Sequence, residues 1–335
     1  MNEPHLKDLT LRVAVAIVGY RNPDDIVGCL NALAQSTHRD FEVVICENGG
    51  LAAYEALSRA IPGALAAGQA VRAFAAPRNL GYAGGVNAAI AAAPEADLWW
   101  VLNPDTHPDA GAMAALVGRM TAGGCDAAGG MLLRGDGSVQ SWGGLWRGWL
   151  ARAVSMGFGA RAEAAPPAPL VEARQNYLSG ASMMIGRRFL DTIGPMREDY
   201  FLYCEEVEWC LRARAAGLRL GFAPDARVVH DHGATTGAGA AMHELPRLPM
   251  YLGERNKILL TRDHFPLRFP IAAACALAMI LLRYGRRGAW RQVGYGVSGW
   301  WAGVRNQRGV PAWLAAREAT APRGELDGAP GEASP

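Results

Sequence analysis

From Leu11 onward, runs of consecutive apolar residues alternate with stretches in which apolar residues recur every three or four positions. LRVAVAIVGY (11–20) is Val-rich and suits a strand covered on both faces. DDIVGCLNALAQS (24–36) follows with helical spacing behind an acidic start, which favours a helix N-terminus. The cycle repeats with a strand over FEVVICEN (41–48), a helix over LAAYEALSRA (51–60) and a strand over VRAFAAP (71–77). A helix over GGVNAAIAAA (84–93), a strand over DLWWVLNPD (97–105) and a helix over DAGAMAALVGRM (109–120) complete it. This alternation predicts an α/β protein with a doubly wound, mostly parallel sheet flanked by helices.

In such sheets ligands bind beyond the carboxyl ends of the strands. The polar residues that end these strands are Tyr20-Arg21-Asn22, Glu47-Asn48-Gly49, Arg78-Asn79 and Asn103-Pro104-Asp105. They are expected to meet on one rim. A dinucleotide fold would place GxGxxG after the first strand, where GYRNPDD stands, and no GxxxxGK followed by Ser or Thr occurs. The glycine-rich stretch comes later, in NLGYAGGVNAA (79–89). Gly81, Gly84 and Gly85 there serve either a structural turn or a close backbone approach to a ligand.

Composition narrows the classes. At 335 residues, half of them hydrophobic, the chain can bury a large core. A net charge of +2 and the lack of an aromatic-studded basic stripe argue against nucleic acid as a partner. The six cysteines form no CxxC pair and are expected to be reduced core thiols. The start MNEPHLKDLT has no apolar signal core, so a cytoplasmic protein is expected. FPIAAACALAMILL (269–282) is short of the roughly 20 residues of a simple span. It reads either as a buried helix or as an interfacial one with Arg and Trp anchors on the inner face of the membrane.

Three places carry candidate chemistry. Asp105, after a buried strand and a proline, is either a turn former or a carboxylate for a divalent cation. Glu205, Glu206 and Glu208 either start a helix favourably or supply acid/base chemistry. His230 and His232 flank Asp231, and either imidazole could ligate a metal.

Taken in order, these pieces resemble the inverting, nucleotide-sugar-dependent glycosyltransferases of family 2, in their rhamnosyltransferase-like branch. The matching segments are 13–33, 43–50, RNLGYAGGVNAAI (78–90), VLNPDT (101–106) and 178–236. The resemblance implies a GT-A type fold over residues 1–245. A helical region over 246–318, either buried or membrane-associated, is expected to follow, and 319–335 lacks apolar content and is expected to be a disordered tail. The resemblance puts Glu47 where an acidic residue pairs with the nucleotide base. Tyr20, Arg21, Arg78, Asn79, Gly81, Gly84, Asn87 and Asn103 fall on donor positions. It gives Asp105 and His230 the role of holding a divalent cation, Mn²⁺ or Mg²⁺, against the donor diphosphate. Glu206 falls on the position of the catalytic base, with Ser179, Gly180, Glu205 and Arg255 on the acceptor side. Glu208 is expected to hold a neighbouring Arg or backbone group.

The implied reaction moves a sugar, first of all rhamnose from dTDP-rhamnose, onto a glycan or lipid-linked acceptor hydroxyl in cell-envelope polysaccharide assembly. A UDP-sugar is the alternative donor. The oligomeric state stays open. A nucleotidyltransferase on a similar fold and a non-catalytic nucleotide- or sugar-binding module are the competing readings. A mobile lid is expected over 233–244.

Overall fold

The computed structural model describes residues 11–230 and 241–315. The N-terminal stretch, Asp231, His232, most of the 233–244 segment and the tail lie outside the described residues.

The chain opens with β1 (Val13–Gly19), α1 (Pro23–Leu33), β2 (Phe41–Glu47), α2 (Leu51–Ala60), β3 (Val71–Ala75), α3 (Gly81–Ala91) and β4 (Leu98–Leu102). β5 (Thr106–Pro108), α4 (Ala112–Thr121), β6 (Ala127–Leu133) and β7 (Val139–Ser141) follow. A small hairpin, β8 (Gly144–Arg147) and β9 (Arg152–Ser155), and α5 (Ala168–Arg174) lead to β10 (Ser182–Gly186). Next come α6 (Arg187–Ile193), α7 (Glu205–Ala215) and β11 (Leu220–His230). Three helices end the described chain: α8 (Arg247–His264), α9 (Phe269–Ile280) and α10 (Trp290–Val304).

The main sheet runs β3-β2-β1-β4-β10-β6-β11-β5, with β7 on β6. β1 is buried along its whole length, and its side chains alternate between two cores. Ala14, Ala16 and Val18 face one, shared with Trp99; Val13, Val15 and Ile17 face the other, shared with Trp100. This is the period-2 alternation of a strand covered on both faces.

The expected parallel sheet holds for β3-β2-β1-β4. β10, however, runs antiparallel to both β4 and β6, and β5 runs antiparallel to β11. An apolar run does not encode strand direction; the connection does. Here the hairpin and α5 deliver β10 from the rim, so Ser182 pairs with Leu102 at the carboxyl end of β4. The residues just before β10 therefore lie on the rim, where the Asn103 N–H donates to the Ala181 carbonyl at 3.0 Å.

The C-terminal helices share the body's core: Ile258, Leu259 and Leu260 of α8 and three alanines of α9 pack with residues of α3 and α7. Pro266–Gly285 forms a 20-residue helical stretch of mean hydropathy 1.6, longer than the apolar run implied because short turns extend it at both ends. Among the described residues it is the one helix long and apolar enough to cross a membrane by length and composition. All six cysteines are free thiols; Cys125 and Cys275 are half-buried and the rest buried.

Candidate active site

The Asn103-Pro104-Asp105 turn joins β4 to β5. The Thr106 hydroxyl donates to the Asn103 carbonyl at 2.6 Å and tightens it. Neither Thr106 nor Asp109 caps the next helix; Gly111 holds that place. β5 pairs with the end of β11 so that Thr106 stands opposite His230. This pairing brings His230 Nε2 to 3.4 Å from Asp105 Oδ1 and 3.3 Å from Asn103 Nδ2. The other ring nitrogen, Nδ1, lies 3.1 Å from Gln140 Oε1. An amide oxygen only accepts, so Gln140 holds the proton on Nδ1 and leaves the Nε2 lone pair facing Asp105.

Asp105 and His230 are both buried, at 8% and 6% exposure. Adjacent ligands of an octahedral cation with bonds of about 2.1 Å stand about 3 Å apart. The observed 3.4 Å between carboxylate oxygen and imidazole nitrogen fits such a pair after a small adjustment. Among the described residues no group of three or more metal-ligating side chains exists, so phosphate and water oxygens would fill the remaining positions.

The acidic pair begins α7. Its first turn carries Glu205, Glu206 and Glu208 and its last turn Arg212 and Arg214, an order that suits the helix dipole. The three carboxylates divide their work. Glu208 is buried and accepts from the Arg212 guanidinium at 3.1 Å, with His264 Nε2 at 3.4 Å, so it holds structure as expected. Burial, and after it the Glu206 charge, pushes Glu205 up to about 8. Glu206 is also raised by burial, while backbone N–H groups at the helix start draw it back. Burial thus raises both members of the pair, and Glu205, at about 8, holds its proton near neutral pH.

Tyr82 joins the two halves. Its hydroxyl lies 2.7 Å from the Gly180 carbonyl and 3.0 Å from Asn103 Oδ1. Burial raises its pKa far above the usual phenol value, and the charges of Glu205, Glu206 and Asp105 add to the effect. A Cβ on Gly180 would sit 3.3 Å from the Cβ of Glu206, so this side chain packs directly on the glycine. Asp105, His230, Asn103, Tyr82, Gly180 and Glu206 therefore form one continuous chain of neighbours.

The rim of the first strands is built differently from expectation. Glu47 was expected to face a base, yet it is 1% exposed and its Oε1 accepts from the backbone N–H groups of Arg21 at 3.1 Å and Gly49 at 2.7 Å. Those bonds offset part of the burial that raises its pKa. Its work is to hold the tips of β1 and β2 together. Arg21, with φ of 58°, also donates to the Gly49 carbonyl, and Tyr20 beside it is exposed. Arg78 is exposed, and Asn79 Oδ1 accepts from the Gly81 N–H at 3.0 Å.

The glycines of this stretch pack against protein. Gly81, at φ of 72°, lies under Phe201, and a Cβ on Gly85 would meet Val18 at 2.6 Å. Gly84 is buried beside Leu80. Asn87 spends its amide on Met196, accepting and donating at 2.9 Å, and on Glu198 at 3.0 Å, and so tethers α3 to the segment before α7. Ser179 is half-buried on the rim beside Gly180, and its Oγ accepts from the Ala181 N–H.

Arg255, expected on the acceptor side, is 1% exposed and donates to the carbonyls of Gly309 and Tyr200 and to Asn256 Oδ1. Oriented by that last bond, Asn256 Nδ2 lies 2.9, 2.7 and 2.8 Å from the carbonyls of Tyr200, Leu202 and Tyr203. This is the turn that launches α7. Phe201, Tyr203 and Cys204 all adopt left-handed φ there, at 68°, 75° and 70°. Tyr82, Gln140 and Asn256 were not selected from sequence. Tyr82 stands inside the quoted glycine motif and Asn256 beside Arg255; Gln140, on a three-residue strand, carries no local signal.

Residues 11–244 match the family model described as "Glycosyltransferase like family 2". The chain is 28% identical over 254 residues to N-acetylglucosaminyl-diphospho-decaprenol L-rhamnosyltransferase of Mycobacterium tuberculosis, covering 68% of this chain and 79% of that one. A shorter match, 27% over 90 residues, is to the low-salt glycan biosynthesis hexosyltransferase Agl10 of Haloferax volcanii and spans 27% of this chain and 28% of that relative. Among solved structures, the Pyrobaculum calidifontis mannosyltransferase in complex with GDP-Man and Mn²⁺ superposes with a TM-score of 0.50 at 15% identity, over 89% of this chain and 88% of that one. GalNAc-T7 with UDP, GalNAc and Mn²⁺ gives 0.54 at 14%, over 83% of this chain and 58% of that one. At such identities the likeness is one of fold, and the fold is of the GT-A type.

Proposed function

Because the chain belongs to glycosyltransferase family 2, we propose that it transfers a sugar from a pyrimidine nucleotide donor to an acceptor hydroxyl with inversion at the anomeric carbon. It is a glycosyltransferase; the donor, acceptor and stereochemistry are the proposed part. The observation that carries the reading is the unbroken line of neighbours from Asp105 and His230 through Asn103, Tyr82 and Gly180 to Glu206. It gives one polar rim a pair of groups suited to a cation at one end and a carboxylate suited to accept a proton at the other.

Asp105 and His230 would hold the divalent cation, with Gln140 fixing the imidazole. Bound there, the cation supplies neutralising charge for the departing nucleoside diphosphate. Glu206 takes the proton of the acceptor hydroxyl. The acceptor oxygen forms its bond to the anomeric carbon as the bond to the diphosphate oxygen breaks, and the electron pair leaves with the diphosphate. Glu205, kept protonated by burial, adds no second negative charge beside the attacking oxygen. Tyr82 fixes Gly180 and Asn103 and so sets the width between the two ends.

Rhamnose from dTDP-rhamnose is the leading donor, with a UDP-sugar second. The similarity to the mycobacterial rhamnosyltransferase supports both the sugar and a lipid-diphosphate acceptor. The Mn²⁺ in the two solved relatives supports a divalent metal. The test is a donor panel with a polyprenyl-diphosphate-sugar acceptor, with and without chelator, scored by nucleoside diphosphate release and product mass. Chelator-sensitive transfer from one donor is expected. Full turnover in chelator removes the metal from the reading, and no transfer from any pyrimidine donor removes the donor class.

A further inference from the structure

We propose that the outer face of α9, together with the arginines that follow it, docks the protein onto an anionic lipid bilayer without crossing it. This inference is independent of which donor the enzyme uses. Leu267, Ile271, Ala274, Ala278, Leu281 and Leu282 recur at helical spacing, and all six are exposed. Leu267 is 94% exposed, Ile271 54% and Leu282 56%. The inner face of the same helix, Ala272, Ala273, Ala276 and Ile280, is buried. There the Trp300 indole donates to the Ala273 carbonyl at 2.9 Å. The helix is thus apolar on both sides, and the outer side is a continuous apolar stripe left to be covered.

The surrounding charge identifies the cover. No Asp or Glu stands between Asp263 and Glu318. Arg283, Arg286, Arg287 and Arg291 are exposed at the end of the stripe, and none pairs with a carboxylate among the described residues. Tryptophans mark both ends. Trp149, 51% exposed, lies under the Arg268 guanidinium at 5.0 Å. Trp290, 69% exposed, packs against Gly285. An apolar stripe between Trp anchors, bordered by unpaired arginines, matches the headgroup region of an anionic leaflet. A second copy of the chain would oppose two arginine-rich, carboxylate-free surfaces, which like-charge repulsion disfavours.

The same packing keeps α9 from spanning. Its inner face rests on α8 and α10, and α8 carries buried Arg255 and Asn256, both bonded to the turn before α7. Threading α9 through a bilayer would strip those contacts or drag buried polar groups into hydrocarbon. Lying flat preserves them.

The test uses the full chain and vesicles of phosphatidylcholine, alone or with one-third phosphatidylglycerol, in co-sedimentation. Binding is expected to the mixed vesicles, to weaken as salt rises, and to be slight on phosphatidylcholine alone. Arg286→Ser with Arg287→Ser should weaken it roughly 30-fold. Ile271→Glu with Leu282→Glu should abolish it while the melting temperature stays within a few degrees. Equal binding by the glutamate variant, or none by the wild type, overturns the proposal. A lipid-free dimer that the glutamate variant dissolves assigns the face to a second copy, and resistance to alkaline extraction from mixed vesicles assigns it to a span; either overturns docking.

Discussion

Asn256 stands more than two turns into α8 and about fifty residues beyond the acidic pair, yet its loss should cripple transfer. Its Nδ2 lies within 2.9 Å of three carbonyls of the turn that launches α7. Asn256→Ala leaves the Leu202 and Tyr203 carbonyls without this donor, while Tyr200 keeps Arg255. Two part-buried carbonyls that lose their donor cost at most about 2–4 kcal/mol together. In a chain of this size that lowers Tm by about 3–6 °C. The same turn holds Phe201, Tyr203 and Cys204 in the left-handed region, at about 1–2 kcal/mol each. Once the clamp is gone these residues relax, and the start of α7 moves with them. A displacement of about 1 Å at Glu206 would cost about 100-fold in rate. The assay is kcat and donor KM beside a thermal melt, well below the variant's Tm. The expected pattern is a large fall in kcat, a donor KM within about threefold, since Asp105 and His230 sit on other elements, and a lowered Tm. Asn256→Asp should not rescue, because an ionised carboxylate offers no donor to those carbonyls. A variant with lowered Tm but wild-type kcat would refute the idea that Asn256 sets the position of the base.

Glu206→Gln should keep donor binding and lose transfer by about 100-fold or more, measured by product formation beside donor titration. Asp105→Ala should weaken donor binding in the presence of Mn²⁺ and leave metal-free binding unchanged; unaltered affinity and rate would make Asp105 a turn residue alone. Glu205 tests the electrostatics through stability. Folded, it titrates near 8; unfolded, near its ordinary 4.5. Between those values the folded protein holds a proton the unfolded chain has lost, so stability falls as pH rises across that window. Glu205→Gln should flatten that fall in Tm-against-pH curves. The pH-rate profile of the wild type should also rise through a limb above the ordinary carboxylate range, because burial raises Glu206.

Much of the site was legible in local sequence. The strand-helix alternation placed the rim residues, and the acidic start of α7 was visible as such in EEVE. The roles of Glu47, Asn87 and Arg255 were not legible, because a polar side chain at a strand tip or on a helix looks the same whether it faces solvent or caps backbone groups. Only the burial of Glu47 beside Gly19, and of Arg255 beneath Tyr200, shows that their hydrogen bonds are spent within the protein. The glycines of 81–85 read equally as a structural turn or as room for a ligand, and the structure packs Phe201 and Val18 against them.

Hydrophobic periodicity by itself determined the alternating elements, the two-sided burial of β1, and which residues end each strand, since these depend on near neighbours along the chain. The tertiary structure alone decided that β10 enters reversed, that β5 pairs with the end of β11, and that α8 grips the turn before α7. Those choices bring Gly180 under Glu206, and bring His230 beside Asp105 from more than a hundred residues further along the chain. Strand direction and register are settled by the summed burial of both sheet faces and by the paths of the connections, and no local pattern records either.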